Sequence, residues 1–154
     1  GQEFVDAKRL AVFGFSMGGW AAINLAAGDK RLRAVAAVAP VGGPEMVTEL
    51  TRERLAHFSR TLRVRSLDAL TADFKSAVTA HDPAAAAAKL GRPLLLIHGD
   101  ADEVVPPEIS RRLYAASRTP KRLIMSRGAG HDFLDRRAWL TKTACGWLVK
   151  RLAA

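Results

Sequence analysis

Cysteine, aromatic residues and acidic residues are all scarce in this chain, and each scarcity excludes something. The single cysteine, Cys145, excludes an internal disulfide. One thiol with no Cys or His at ligand spacing is also no zinc site, so neither a metal nor a cofactor is implied. No apolar run approaches the ~18 residues of a membrane-spanning helix, and the Leu94–Ile97 stretch is only strand-sized. Phe, Trp and Tyr together make up 6% of the residues, and 15 acidic side chains stand against 24 Lys and Arg, for a net charge of +9. That excess raises the question of nucleic acid. The arginines concerned are Arg52, Arg54, Arg60, Arg63 and Arg65, then Arg111, Arg112 and Arg118, then Arg136 and Arg137. A strand-binding groove would interleave aromatics for base stacking, and only Phe58 lies among the first group. No nucleic-acid motif accompanies them, so the expectation is solvated helix faces and no nucleic-acid partner.

What is present is ordinary globular material: 154 residues, 49% hydrophobic and 25% charged, enough for one domain. Leu10-Ala11-Val12-Phe13-Gly14-Phe15 is a continuous apolar run of strand length, as expected of a strand buried on both faces. A helix rich in Ala and Leu follows over Trp20–Ala27, with Gly28 as its expected stop. Leu32–Ala39 is a second strand, ended by Pro40. Residues 41–91 break this rhythm. Val47, Leu50, Leu55, Phe58 and Leu62 fit one helical spacing, and Leu67, Leu70, Phe74 and Val78 fit another with Ser66 as its cap. A third short helix is opened by Asp82-Pro83. Pro93–His98 is a third strand, Pro106-Pro107-Glu108 open a helix to about Ser117, and Arg122–Ser126 is a fourth strand. A last helix runs from about Arg136 to Leu152. Strands spaced by helices are parallel βαβ units, so the fold class is α/β, a parallel sheet of about four strands with flanking helices.

Gly14-Phe15-Ser16-Met17-Gly18 matches G-x-S-x-G between a strand and a helix. In that context the serine occupies a sharp turn, and the flanking glycines admit close backbone approach. Its Oγ is then raised above the sheet, and the Met17 N–H faces a developing oxyanion. The competing reading is a tight turn with Ser16 as a plain helix cap. Two further residues argue for chemistry. Asp102 follows the third strand in His98-Gly99-Asp100-Ala101-Asp102-Glu103-Val104-Val105-Pro106, and His131 follows the fourth in Gly128-Ala129-Gly130-His131-Asp132-Phe133. All three lie just past the C-terminal ends of parallel strands, where open α/β sheets build their sites. Ser16 would attack a carbonyl carbon, His131 would take its proton, and Asp102 would hold the imidazole. Asp100 competes for the acid role. His98 reads as a hydrogen-bonded structural residue, His57 and His81 as solvated, Glu103 as a surface charge, and Trp20, Trp139 and Trp147 as core.

Through the Gly14–Gly19, His98–Pro106 and Gly128–Phe133 segments the chain resembles the C-terminal part of an α/β-hydrolase, in the dienelactone-hydrolase and prolyl-oligopeptidase-like branch. The residues that carry the resemblance are distributed over positions 10–133, so it covers nearly all of the chain. It implies that the H-G-x-x-D-x-x-V-P pattern selects Asp102 over Asp100, leaving Asp100 to bond loop backbone. It also implies a core over residues 1–40 and 92–154, with 41–91 as a helical cap over the substrate pocket. The implied activity is a serine hydrolase acting on a small-molecule carboxylic ester through an acyl-enzyme. A peptidase or amidase, or a non-catalytic binding module, is the alternative. Arginines of the cap, Arg52–Arg65, are candidates for a carboxylate-bearing substrate.

In such enzymes well over ~70 residues of sheet and helix precede the nucleophile and supply the second oxyanion N–H, whose loss costs about 10²–10³ in rate. With its serine at position 16, the chain is expected to be completed by a preceding segment or by a partner copy in a homo-oligomer, either of which would cover the apolar edge of Leu10–Phe15.

Overall fold

The structure is a computed structural model. It describes residues 5–43, 46, 52–60, 62–118 and 120–153, and of Arg52, Glu53, Arg54 and Phe58 the backbone alone. Four strands form one parallel sheet in sequential order: β1 (Leu10–Phe15), β2 (Leu32–Val38), β3 (Leu94–Gly99) and β4 (Lys121–Ser126). The helices are α1 (Met17–Gly28), α2 (Arg52–Ser59), α3 (Leu67–Ala80), α4 (Pro83–Lys89), α5 (Pro107–Ala116) and α6 (Arg137–Ala153), the last preceded by a 3-10 turn at Leu134–Arg136. This is the α/β class that the alternation of apolar runs predicts.

The central strands carry apolar residues at nearly every position because both of their faces are covered. Successive side chains point to opposite sides of a sheet, so β2 divides its residues between two cores. Val35 and Ala37 join Leu94 and Leu96 of β3 beneath Ile23 of α1, Ala87 of α4 and Ile109 and Leu113 of α5. Ala34, Ala36 and Val38 join Leu95 and Ile97 beneath Leu140, Ala144 and Leu148 of α6. The register, with Val35 opposite Leu94 and Val38 opposite Ile97, aligns the strand ends. β1 lies at one edge of the sheet, where Phe13 is about half exposed.

Helix signals are met locally, with corrections. Ser66 Oγ accepts the Ala69 N–H at 3.1 Å and Asp82 Oδ1 accepts the Ala84 N–H at 3.1 Å, so α3 and α4 are capped as their sequences predict. Gly28 does not stop α1. The helix runs through it, and Asp29, in extended backbone, closes the end with its N–H on the Leu25 carbonyl. Trp139 is exposed rather than core, because α6 turns Leu140 and Ala144 inward instead. Trp20 is partly buried, and its indole N–H donates to the His81 carbonyl at 2.8 Å, tying α1 to the turn before α4. Of the positions read as a helical stripe after β2, Val47, Leu50 and the Phe58 side chain lie outside the described residues. The described part of 41–91 is helical between β2 and β3.

Candidate active site

The C-terminal ends of β1, β3 and β4 open onto one edge of the sheet, and there the structure brings Ser16, Asp102 and His131 together. Ser16 sits between β1 and α1 at φ 54° and ψ −118°, a backbone conformation that L-residues rarely adopt. Backbone alone holds it there. Its N–H donates to the Val38 carbonyl at 2.8 Å, and its own carbonyl accepts the N–H groups of Gly19, Trp20 and Val41 at 2.9, 3.2 and 3.3 Å. The side chain caps nothing in α1, so Ser16 is no ordinary helix cap. The tight packing that the motif demands falls on Gly14 alone of the two motif glycines. A Cβ on Gly14 would stand 2.0 Å from the Gly18 carbonyl oxygen, whereas one on Gly18 would meet open space.

His131 stands in the loop after β4, its side chain mostly buried, with Phe15 packed at a tilt against it at 5.0 Å between ring centroids. Its Nε2 lies 3.1 Å from Ser16 Oγ and its Nδ1 2.8 Å from Asp102 Oδ2. An ionised carboxylate only accepts hydrogen bonds, so Nδ1 carries the proton and donates to Asp102. Nε2 is left to accept from the serine hydroxyl. A second close approach makes this loop possible: a Cβ on Gly99, the last residue of β3, would stand 2.1 Å from the Ala129 carbonyl oxygen.

Asp102 has a fully buried carboxylate with all its partners supplied. Oδ1 accepts the N–H groups of Val104 and Val105 at 2.9 and 2.8 Å, while Oδ2 faces His131 and, at 3.2 Å, Nε2 of His98. Burial pushes its pKa up, but the hydrogen bonds from His131, His98 and the Val105 N–H outweigh that and hold the carboxyl well below its ordinary range. It is a carboxylate at neutral pH. Asp100, the competing acid, is exposed and accepts the Gly128 N–H at 2.6 Å, bonding loop backbone.

His98 is the hydrogen-bonded structural residue that its place at the end of a buried strand predicts, and it also meets Asp102. It is fully buried at the end of β3, with Nδ1 2.6 Å from Ser110 Oγ and Nε2 3.0 Å from the Val105 carbonyl. Two acceptors, the Val105 carbonyl and Asp102, face Nε2, so that nitrogen carries a proton and Ser110 settles the other. The sequence signal for its contact with Asp102 is the four-residue spacing between them.

Two hollows flank Ser16 and His131. A cleft of about 570 Å³ is lined by the loops carrying His131, among them Glu103, Gly130, Asp132 and Leu134. A cavity of about 270 Å³ is lined by Ser16 and Met17 together with apolar side chains from the segment between β2 and β3, among them Leu55, Leu70 and Phe74. Met17 opens α1, so its N–H belongs to the first turn, whose amides have no partner within the helix. Arg60, Arg63 and Arg65 are exposed and line neither hollow, and the side chains of Arg52 and Arg54 lie outside the described residues. His57, His81 and Glu103 are exposed. Among the described residues no cluster of three His, Cys, Asp or Glu side chains is placed to hold a metal, and no helix is long and apolar enough to cross a membrane.

An uncharacterized protein of Mycobacterium tuberculosis is 31% identical to this chain over 149 residues, covering 91% of the chain and 45% of that protein. The chain thus spans under half the length of the curated relative it matches. Among solved structures, acetyl xylan esterase 1 from Thermoanaerobacterium shares 21% identity at a TM-score of 0.67, covering 96% of this chain and 48% of that one. A puromycin-hydrolyzing peptidase of Mycobacterium tuberculosis shares 24% at 0.64, covering 96% and 21%. These likenesses show the fold, that of part of an α/β hydrolase. The match to the prolyl oligopeptidase family extends over residues 1–154. A parallel sheet with a strained serine after its first strand and an aspartate and a histidine after its last two therefore has its family: the chain belongs to the prolyl oligopeptidase family of α/β hydrolases.

Proposed function

We propose that the polypeptide carrying this chain is a serine hydrolase that cleaves carboxylic esters, with Ser16 as nucleophile, His131 as general base and acid, and Asp102 as the group that orients and stabilises the imidazolium. The observation that carries this reading is the continuous hydrogen-bonded path from Asp102 through His131 to Ser16 Oγ, at 2.8 and 3.1 Å. Helices of 41–91 then act as a cap over the acyl side of the site, on a core of 1–40 and 92–154.

In the first half-reaction the Ser16 proton moves to His131 Nε2 as Oγ bonds the carbonyl carbon. The resulting oxyanion lies toward the Met17 N–H. The tetrahedral adduct collapses, the C–O bond to the leaving alcohol breaks, and His131 returns the proton to that oxygen. Water repeats the sequence: its proton goes to His131, its oxygen bonds the acyl carbon, and Ser16 leaves with the proton restored. Ester is favoured over amide because an alcohol leaves more readily than an amine. The peptidase reading is favoured by the family match itself.

A fluorophosphonate probe tests the reading. It should label the protein at Ser16, and Ser16→Ala and His131→Ala should abolish labelling. A folded protein that takes up no label overturns the assignment and favours a binding module. Faster turnover of a peptide anilide than of a p-nitrophenyl ester reverses the order of ester and amide.

A further inference from the structure

The two hollows beside Ser16 and His131 divide a substrate between them, and the division identifies which part goes where. His131 must deliver a proton to the leaving oxygen, so the leaving group has to depart on the side His131 faces. That side is the open cleft of about 570 Å³ lined by His131, with Glu103 and Asp132 beside apolar residues such as Leu134. The carbonyl carbon is bonded to Ser16, so the acyl group extends to the other side. There the cavity of about 270 Å³ is lined by Ser16 and Met17 but not by His131, and its remaining wall is Val41, Met46, Leu55, Leu62, Leu70, Phe74 and the two valines 104 and 105.

Among the described residues no charged side chain lines that cavity, and Ser16 is the only polar one. A carboxylate or ammonium buried there would lose its hydration with nothing to replace it. A hydrocarbon chain would instead displace water from an apolar wall. Size sets the limit. An apolar cavity of ~150 Å³ holds one benzene, so 270 Å³ holds about ten carbon atoms. Part of the wall comes from α2 and α3, through Leu55 and through Leu70 and Phe74, one helical turn apart on a single face of α3.

We infer that the cavity between Ser16 and α3 is an acyl site for uncharged hydrocarbon chains of up to about ten carbons, and that the alcohol part of the ester leaves over the His131 cleft. This inference rests on Ser16 being the nucleophile.

A chain-length series tests it, run on the full polypeptide with p-nitrophenyl acetate, butanoate, hexanoate, octanoate, decanoate and dodecanoate, in parallel with fluorophosphonate labelling. kcat/KM should rise about fourfold for each methylene added until the cavity is filled, and fall at dodecanoate. Leu70→Trp should move the optimum to shorter chains and Phe74→Ala to longer ones. Ratios of kcat/KM between two esters are read within each variant, so a change in the amount of folded protein cancels. A flat chain-length profile with Ser16 fully labelled, or an optimum unmoved by both substitutions, overturns the acyl site and leaves the nucleophile assignment standing. Absence of labelling together with absence of ester turnover overturns the nucleophile assignment, and the acyl site with it.

Discussion

The two walls around Ser16 are built on opposite plans. On one side the loops after β3 and β4 hold a chain of polar groups in which every partner is specified: Ser110 to His98, His98 and His131 to Asp102, His131 to Ser16. On the other side, helices α2 and α3 contribute apolar side chains to the cavity that Ser16 also lines. Directional groups must be held to fractions of an ångström, so they hang from strand ends buried in the sheet. An apolar surface tolerates displacement, because its contribution scales with area rather than angle. The proposed function assigns chemistry to one wall and selection to the other, and substitutions that separate the two walls test the contrast.

Removal of the proposed nucleophile is the most severe. Ser16→Ala or His131→Ala should lower kcat about 10⁵–10⁶-fold, measured by ester hydrolysis under saturating substrate. Asp102→Asn should cost about 10⁴-fold in kcat, because an amide facing His131 favours the wrong tautomer. The same substitution has a stability signature. Asp102 titrates below its ordinary value of 3.8 when folded, so between those limits the unfolded chain binds the extra proton. Its contribution is complete above the ordinary value and is lost as pH falls through the folded one. Acid unfolding of Asp102→Asn, followed by circular dichroism, should lack that component.

His98→Leu removes a hydrogen bond from a buried carboxylate and should lower kcat about 10–100-fold with KM little changed. His98→Gln, which keeps an N–H donor, should recover part of the loss. A variant that loses only thermal stability, with kcat intact, would mean that His98 packs the loop without orienting Asp102. The smallest effect belongs to the exposed arginines. Simultaneous replacement of Arg60, Arg63 and Arg65 by alanine should leave kcat/KM for uncharged esters within about twofold, since surface charges away from a site act weakly. A large drop would mean that the selecting wall recognises charge.

Strand-level organisation was legible because a strand covered on both faces is apolar nearly throughout, as β2 and β3 are apart from Arg33 and His98. The turn at Ser16 was legible because its motif is local. Asp102 and His131 were legible as candidates through their places after strands, although nothing in the chain states that loops 29 residues apart meet at 2.8 Å. Gly99 stands in the H-G-x-x-D-x-x-V-P pattern, but the need for glycine there is set by the Ala129 carbonyl, a contact made only when β3 and the loop after β4 pack. Leu70 and Phe74 read as a helix face, but spacing cannot say whether such a face meets the sheet, another helix or an empty cavity. The exposed Trp139 makes the same point from the other side, since hydrophobicity alone does not choose which side of α6 turns inward.

The way Ser16 is suspended has a further consequence. All the contacts that impose its unusual backbone run through its N–H and carbonyl, and none through its hydroxyl. Scaffold and reagent are therefore separable at this position. The turn should accept cysteine or alanine with little change in fold, and the same frame then presents a thiol, or nothing, to His131. Evolution can exchange the chemistry here by a single codon without rebuilding the architecture around it.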